Sequence, residues 1–355
     1  MSVVARHTLR CFDCGAHANP SLRLSCPNCG GLWEIEYHRL PPGDIRLPAT
    51  PLPLGEGETP TIAFDWADAR SVRLDLKLEF LAPSGSFKDR GAALLIGAAW
   101  GFGVSEFVED SSGNAGAALA AYGAAARMRA HIFLPADAAP AKFAQIEAVG
   151  ATPHPIDGPR SAAAEAAEAF ARERALPFLS HNRSPYFSEG MKPAAAEIAS
   201  YGLPDSILLP VGNGSLLLGL QRGFDELRQI GTIDRIPRLH AVQATAVSPL
   251  AAAFRDHDTP PITETIAAGI AVSDPPRLKQ MLNAVRDSGG TATAVSELEI
   301  ASAHREIGRR GLYVEPTSAV PFAALPRLLE RGMIEDGERV LIPVTGSGLK
   351  SAGSN

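Results

Sequence analysis

The sequence predicts an α/β protein with a mostly parallel sheet, preceded by a small metal-binding ribbon. Two observations carry this prediction. From Thr61 onward, short apolar runs alternate with helical patterns, which is typical of consecutive βα units. All four cysteines lie within the first thirty residues, in two Cys-x-x-Cys-Gly turns. With 355 residues, the chain is also long enough to form two or more domains.

Composition indicates a soluble globular protein and excludes several classes of function. Hydrophobic residues make up 45% of the chain and the net charge is -6, which argues against disorder. Because 39 acidic residues outnumber 33 basic ones, no basic surface for a nucleic-acid backbone is predicted. The apolar runs are too short or too broken to cross a bilayer, and the N-terminus lacks the core of a signal peptide. We therefore expect a cytoplasmic protein that binds neither nucleic acid nor membrane.

The first element, over residues 1–40, is predicted to be a zinc ribbon. Cys11 and Cys14 form one turn, and Cys26 and Cys29 form the other. The glycine after each pair permits a positive φ, so the four thiolates can converge on one metal ion. Disulfides are disfavoured in a chain without an export signal. We expect a closed structural Zn site, with rubredoxin-like iron as the alternative.

The rest of the chain is predicted as a linker followed by βα units. Residues 41–60 contain six prolines, which predicts an extended linker with little regular structure. Beyond it, apolar runs bounded by turn residues indicate strands. The predicted strands are Val72–Leu78, Glu106–Glu109, Ala130–Leu134, Thr152–Ile156, Ile207–Val211, Leu239–Val242 and Val340–Val344.

The stretch Pro83–Gly91 contains a candidate catalytic lysine, Lys88. Ser86 and Asp89 have the spacing of a capping box, which places Lys88 in the first helical turn. Both the positive end of a helix and burial favour the neutral form of a lysine amine. A neutral buried amine typically forms a Schiff base with a carbonyl substrate or with pyridoxal phosphate. A surface lysine beside a helix cap is the alternative interpretation.

Three turns that follow strands are candidate ligand-binding loops. The small residues of Ser111–Gly116 would let a carboxylate approach the backbone, and Asn114 could bond a phenolate oxygen. Gly212–Ser215 precedes a helix but lacks the lysine of a Walker loop, which favours a single phosphate monoester such as that of pyridoxal phosphate. Thr345, at the end of the last strand, could bond a pyridine nitrogen without protonating the ring. Each turn alone is equally consistent with an ordinary βα connection.

Taken together, these motifs resemble threonine synthases and their relatives among the fold type II pyridoxal-phosphate enzymes (the tryptophan synthase β superfamily). The motifs are Pro-Ser-Gly-Ser-Phe-Lys-Asp-Arg-Gly from Pro83, Ser-Ser-Gly-Asn-Ala-Gly from Ser111, Pro-Val-Gly-Asn-Gly from Pro210, Glu-Pro-Thr-Ser-Ala from Glu315 and Thr-Gly-Ser-Gly-Leu-Lys from Thr345. They occur in the family's order, and the ribbon is similar to that of archaeal-type threonine synthases. The resemblance implies a two-lobed α/β fold of open, twisted parallel sheets with helices on both faces, usually as a homodimer.

The resemblance also implies domain bounds and residue roles. It implies a large cofactor-binding domain of residues 61–90 and 186–355, with a small inserted domain of residues 91–185. Lys88 would bind pyridoxal phosphate covalently. The other implied cofactor-binding residues are Phe87, Asn114, Gly212, Asn213, Gly214, Ser215 and Thr345. The implied substrate-binding residues are Ser84, Ser111, Ser112, Gly113 and Arg183.

The sequence departs from the threonine synthase pattern where a substrate phosphate should be bound. Aligning Glu189–Lys192 with the family's Glu-Gly-Gln-Lys segment places Phe187 where those enzymes have an arginine, and Ser347 replaces a histidine. An aromatic ring cannot pair with a phosphate dianion. Arg183 is therefore the remaining candidate for that contact.

We expect a pyridoxal-phosphate-dependent lyase or synthase that acts on a small amino acid. The leading expectation is threonine synthase-like β,γ-replacement of a phosphorylated homoserine-type substrate. The alternatives within this chemistry are a β-replacement enzyme like cysteate synthase and an ammonia-lyase like threonine dehydratase. A non-catalytic sensor that binds pyridoxal phosphate is a further alternative. A nucleotide-binding Rossmann protein is disfavoured because its glycine fingerprint is missing.

Overall fold

A computed structural model describes residues 2–38, 45–66, 69, 71–111, 113–138, 140–158 and 160–350. The chain divides into two compact units. Unit 1 comprises Met1–Gly57, Ala82–Met191 and Lys350–Asn355, and unit 2 comprises Glu58–Leu81 and Lys192–Leu349. Both units combine a parallel sheet with helices, which confirms the predicted α/β class.

The elements follow one another in mixed α/β order. The strands are β1 (Ser2–Val4), β2 (His7–Cys11), β3 (His17–Ala18), β4 (Trp33–Tyr37), β5 (Ile45–Leu47), β6 (Thr61–Ala63), β7 (Arg73–Lys77), β8 (Glu106–Glu109), β9 (Arg129–Pro135), β10 (Thr152–Ile156), β11 (Ser206–Pro210), β12 (Arg238–Ala244), β13 (Ala292–Val295) and β14 (Arg339–Pro343). The helices are α1 (Lys88–Gly101), α2 (Asn114–Ala125), α3 (Pro140–Ala148), α4 (Arg160–Arg174), α5 (Pro185–Glu189), α6 (Pro193–Tyr201), α7 (Ser215–Gln229), α8 (Pro249–Phe254), α9 (Leu278–Asp287), α10 (Glu297–Arg309) and α11 (Pro316–Glu330). Among the residues described, no helix combines the length and the apolar character needed to cross a membrane.

Unit 2 is built on a sheet with the strand order β13-β12-β11-β14-β7-β6. Its pairs are parallel except for β6, which runs antiparallel to β7 at the edge. Successive side chains of a strand point to opposite faces of the sheet. The unbroken burial of residues 239–244 therefore means that both faces are covered. Helices α7, α9 and α11 contact β12, the strand that contains these residues.

Unit 1 contains a parallel sheet with the order β10-β9-β8 and an antiparallel sheet with the order β3-β2-β4. Helices α2 and α4 pack against the parallel sheet. The antiparallel sheet, which we call the ribbon (residues 7–37), contains the four cysteines. A strand that the sequence did not predict, β5, forms within the proline-rich segment and pairs in parallel with β1. Ile45 and Leu47 are buried, which explains why this short segment is ordered.

Candidate active site

Lys88 is the first residue of α1, as the sequence predicts. Its side chain is half-buried between two aromatic rings. Lys88 Nζ lies 4.8 Å from the centre of the Phe87 ring and 5.6 Å from the centre of the Phe187 ring. Both distances are within the range of cation–π contacts, so the Lys88 amine lies beside two aromatic rings.

Two other lysines are fully buried but are held in ion pairs within unit 2. Lys77 Nζ lies 2.7 Å from a carboxylate oxygen of Glu197, and Lys192 Nζ lies 2.6 Å from one of Glu226. Buried charges of this kind are stable only when they are paired. These two lysines therefore have structural partners within unit 2.

The turn before Lys88 is not closed by the predicted capping box. The Asp89 carboxylate instead accepts hydrogen bonds from the backbone N–H of Ser84, at 2.6 Å, and from the Ser84 hydroxyl. Gly85, with a φ of +85°, reverses the chain so that Ser84 rather than Ser86 faces this carboxylate. The buried Ser86 hydroxyl has no hydrogen-bond partner among the residues that the structure describes. Burial raises the pKa of Asp89 to about 6, despite the two bonds from Ser84.

Ser84 is held by two further segments of unit 1. Its carbonyl oxygen accepts a hydrogen bond from Gln145 Nε2 at 3.0 Å and one from Lys350 Nζ at 2.8 Å. Together with the two bonds that Ser84 donates to Asp89, these contacts hold the Ser84 backbone at both its N–H and its carbonyl group. The position of the turn that leads into Lys88 thus depends on α1, on α3 and on the C-terminal segment.

The second predicted loop lies between β8 and α2. Gly113 directly precedes Asn114, the first residue of α2. Among the residues that the structure describes, the one atom within 4 Å of a Cβ on Gly113 is Ser111 Oγ, at 3.9 Å, so this glycine leaves space for a ligand. A Cβ atom on Gly116 would lie 2.0 Å from the Ser111 carbonyl oxygen, so only glycine permits this packing. The predicted substrate residue Ser112 lies outside the described residues.

A buried hydrogen bond joins Glu109 to His181 at the end of β8. His181 Nδ1 donates to Glu109 Oε1 at 2.5 Å, and both side chains are buried. The His181 ring also meets the Phe187 ring edge-on, with 5.9 Å between ring centres. The sequence analysis did not select Glu109 as a site residue. Its position could have indicated one, because Glu109 is a charged residue that ends an apolar run directly before a predicted ligand-binding loop.

Arg183, a predicted substrate residue, is engaged by other side chains of unit 1. Its guanidinium bonds to the Glu168 carboxylate, and its Cζ atom lies 5.5 Å from the centre of the Phe178 ring. About a third of the side chain is exposed to solvent. An anionic ligand would have to compete with the Glu168 carboxylate for this charge.

The glycine loop of unit 2 leads directly from β11 into α7. Gly214 adopts a left-handed conformation with a φ of +77°, and a Cβ atom there would lie 2.0 Å from Met281 Sδ. A Cβ atom on Gly212 would lie 2.9 Å from the Ile270 Cα atom. Both positions therefore require glycine. The first N–H groups of this fifteen-residue helix have no acceptor within the helix itself, which makes its start suited to a phosphate group.

Thr345 follows β14 in unit 2 and is almost fully buried. Its hydroxyl lies 3.2 Å from the hydroxyl of Ser318, which in turn accepts a hydrogen bond from the Gly346 N–H at 3.0 Å. Ser318 therefore holds the threonine hydroxyl in place. The sequence motif that begins at Glu315 contains this serine, but its role could not be inferred without the contact.

The four cysteines of the ribbon converge as predicted. Cys11 Sγ lies 3.5 Å from Cys29 Sγ, and Cys14 Sγ lies 3.8 Å from Cys26 Sγ. All four are free thiols, and their sulfur atoms lie within 4.8 Å of one another. The glycine after each pair has a positive φ, of +71° and +79°. Four converging sulfurs are compatible with a tetrahedral zinc site.

Comparison with known proteins assigns the family. Residues 52–346 match the pyridoxal-phosphate dependent enzyme family, and the chain therefore belongs to it. It is 32% identical to a threonine synthase of Methanosarcina acetivorans and 33% identical to one of Methanocaldococcus jannaschii. Each alignment covers 96% of this chain and 92% of the relative. These similarities confirm the predicted class, a threonine synthase-like lyase that depends on pyridoxal phosphate.

A solved structure supports the fold. The chain is similar to the O-acetylserine dependent cystathionine β-synthase from Helicobacter pylori, with a TM-score of 0.71 and 22% sequence identity. The similarity covers 84% of this chain and 95% of that chain. It confirms the fold type II architecture.

Proposed function

We propose that this enzyme catalyses a threonine synthase-like β,γ-replacement on a phosphorylated homoserine-type amino acid. The observation that carries the proposal is Lys88, which begins α1 with two aromatic rings beside its amine, in a chain similar to threonine synthases over almost its whole length. The turn before it is held by four hydrogen bonds of Ser84, two that it donates and two that its carbonyl accepts. A fixed turn keeps the reacting amine in one position.

The residues of unit 1 fit a covalently bound pyridoxal phosphate. Lys88 Nζ would bind its aldehyde carbon, with the Phe87 ring beside it, and the amide of Asn114 would donate to its phenolic oxygen. The open space at Gly113 and the unpartnered Ser86 hydroxyl described above are consistent with a ligand at this place. When bound, pyridoxal phosphate supplies an electron sink for the charge that develops at the substrate α-carbon. Once the substrate amine has replaced it at the aldehyde carbon, the freed Lys88 Nζ would take the proton from the substrate α-carbon.

Unit 2 contains the residues that the family resemblance assigns to the phosphate and the ring nitrogen of pyridoxal phosphate. The N–H groups of Gly212, Asn213, Gly214 and Ser215 would bind its phosphate. The dipole of α7 would favour the negative charge of that phosphate. The Thr345 hydroxyl, positioned by Ser318, would hydrogen-bond the pyridine nitrogen without placing a full charge beside it.

The substrate would be bound by residues of unit 1. The hydroxyls of Ser84, Ser111 and Ser112, with the N–H of Gly113, would bind the substrate carboxylate. Arg183 would contact the phosphate of the side chain. We further propose that the ribbon binds one structural Zn ion, and that the enzyme is a cytoplasmic homodimer with the inserted small domain of residues 91–185.

The contacts of Arg183 and Phe187 favour a second candidate. Arg183 already bonds Glu168, and the position where relatives are expected to have an arginine holds Phe187. An unphosphorylated amino acid carries no phosphate, so it would need neither Arg183 nor an arginine at the position of Phe187. The second candidate is therefore β-replacement or ammonia elimination on such a substrate.

Reduction and product analysis test both levels of the proposal. Borohydride reduction of the holoenzyme, followed by peptide mapping, should mark Lys88, and Lys88→Ala should abolish the visible absorption band of the cofactor. Lys279→Ala, at an exposed lysine of α9, is the control and should keep the band. Incubation with O-phosphohomoserine should release phosphate and threonine. Release of a keto acid from unphosphorylated amino acids alone would favour the second candidate, and label on another residue would refute the cofactor assignment.

A further inference from the structure

The ribbon contacts the short helix α5 through Tyr37 and His7. The Tyr37 hydroxyl, at the end of β4, lies 2.5 Å from a carboxylate oxygen of Glu189, a residue that is 1% exposed. The Tyr37 ring is held by Arg46, whose guanidinium carbon lies 4.7 Å from the ring centre. His7 Nε2 lies 3.2 Å from the hydroxyl of Tyr186. Both ends of α5 are thus bonded to the N-terminal part of the chain.

On its other side, α5 packs closely against α1. A Cβ atom on Gly91 would lie 2.6 Å from the Phe187 ring, so the glycine allows this ring to approach the helix backbone. A Cβ atom on Gly190 would lie 2.3 Å from the Arg90 carbonyl oxygen, so this glycine, directly after α5, lets the chain approach the backbone of α1. The Phe187 ring is fully buried, and its centre is 5.6 Å from Lys88 Nζ.

A helix of this length depends on its neighbours for its position. The five residues of α5 form little more than one turn, which has no stability of its own in water. Because protein interiors are close-packed, a shift of α5 would have to be taken up by the Phe187 ring or by α1. The contacts that hold α5 therefore also determine the surroundings of Lys88.

We propose that the ribbon is a positioning element of the active site and that Tyr37 is the residue through which it acts. The Tyr37 hydroxyl fixes Glu189 and hence α5, and α5 places the Phe187 ring beside Lys88. This inference rests on the proposed function in one respect, because it takes Lys88 as the lysine that binds the cofactor. It gives the ribbon a role in catalysis beyond its own folding.

The first test compares two changes on the same strand. Tyr37→Phe removes only the hydroxyl. Glu36→Gln changes the neighbouring residue, which is exposed and bonds His17 within the ribbon. Tyr37→Phe should lower kcat/KM about tenfold, mainly through kcat, which equals about 1.4 kcal/mol, and should shift the visible absorption maximum of the bound cofactor. Glu36→Gln should change neither, and both variants should retain the metal content of the wild type.

A double-mutant cycle then tests whether Tyr37 acts through Phe187. Phe187→Leu should lower kcat/KM on its own, and adding Tyr37→Phe to it should cost less than about threefold, because coupled residues are not additive. Additive losses, or a Tyr37→Phe enzyme with wild-type kinetics and absorption, would overturn the inference. If Tyr37→Phe does not fold, Glu189→Gln weakens the same bond and takes its place in the cycle. Failure to label Lys88 by borohydride would instead refute the proposed function, so the two failures are distinguishable.

Discussion

Asp89 provides a test of the structure around Lys88 that does not depend on catalysis. The perturbation is Asp89→Asn, which keeps the shape of the side chain but removes its titration. Asp89 is fully buried in the first turn of α1, and burial raises its pKa from 3.8 to about 6. The positive charge of Lys350 opposes this rise, and the negative charge of Glu56 adds to it.

The expected size and sign follow from this raised pKa. A carboxyl group whose pKa is higher in the folded state stabilises the fold below its unfolded pKa, and the stabilisation is lost as the pH rises through the folded pKa. A rise from 3.8 to about 6 corresponds to about 3 kcal/mol in total. Of this, about 1.4 kcal/mol is lost between about pH 5 and pH 8.

Urea unfolding of the holoenzyme at several pH values measures this effect. The free energy of unfolding of the wild type, minus that of Asp89→Asn, should be about 1.4 kcal/mol larger at about pH 5 than at pH 8. Asp65→Asn, at a carboxyl group that is 91% exposed, serves as the control for the loss of one acidic side chain. A pH-independent difference for Asp89→Asn, or one that grows with rising pH, would show that burial does not control this carboxyl group.

Four further predictions concern the site and the ribbon. Lys350→Met should lower kcat/KM about tenfold, because it removes a charged hydrogen bond to Ser84 worth about 1.5–3 kcal/mol. An unchanged kcat/KM would show that this hydrogen bond does not affect the site. Gly214→Ala should weaken pyridoxal phosphate binding about five- to thirtyfold by equilibrium dialysis, since a left-handed φ costs about 1–2 kcal/mol for alanine. Metal analysis should find about one zinc ion per chain, and chelation should lower the melting temperature; iron in its place would contradict the zinc assignment. Arg183→Gln should raise KM for a phosphorylated substrate while leaving KM for an unphosphorylated one unchanged, and Glu168→Gln should lower the first value.

The strands β8, β11 and β14 could be predicted closely because most of their residues are buried. The observed bounds of β8 are those predicted, and the bounds of β11 and β14 differ from the prediction by one residue. Short continuous apolar runs bounded by turn residues are typical of such strands. β5 was missed, because three residues among prolines carry no periodic pattern, and its order comes from pairing with β1.

The candidate site could be predicted as motifs but not as contacts. The position of Lys88 at the start of α1 was correct, although the reason given for it was wrong, since Asp89 bonds Ser84 and no capping box forms. The spacing of Ser86 and Asp89 fits both arrangements, and the left-handed Gly85 decides between them. Glu109 and His181 are 72 residues apart in sequence, so their hydrogen bond could not be inferred from either one alone.

Distant contacts also explain why a local motif is not sufficient to build this site. The carbonyl of Ser84 receives hydrogen bonds from Gln145 and Lys350, which lie 61 and 266 residues further along the chain. The ribbon reaches the same region through Tyr37 and Glu189, which are 152 residues apart. The order of motifs along the chain therefore identifies the family, whereas the position of the lysine depends on segments outside its motif. Relatives that keep the Pro83–Gly91 motif but differ in these partners should bind the same cofactor and differ in rate.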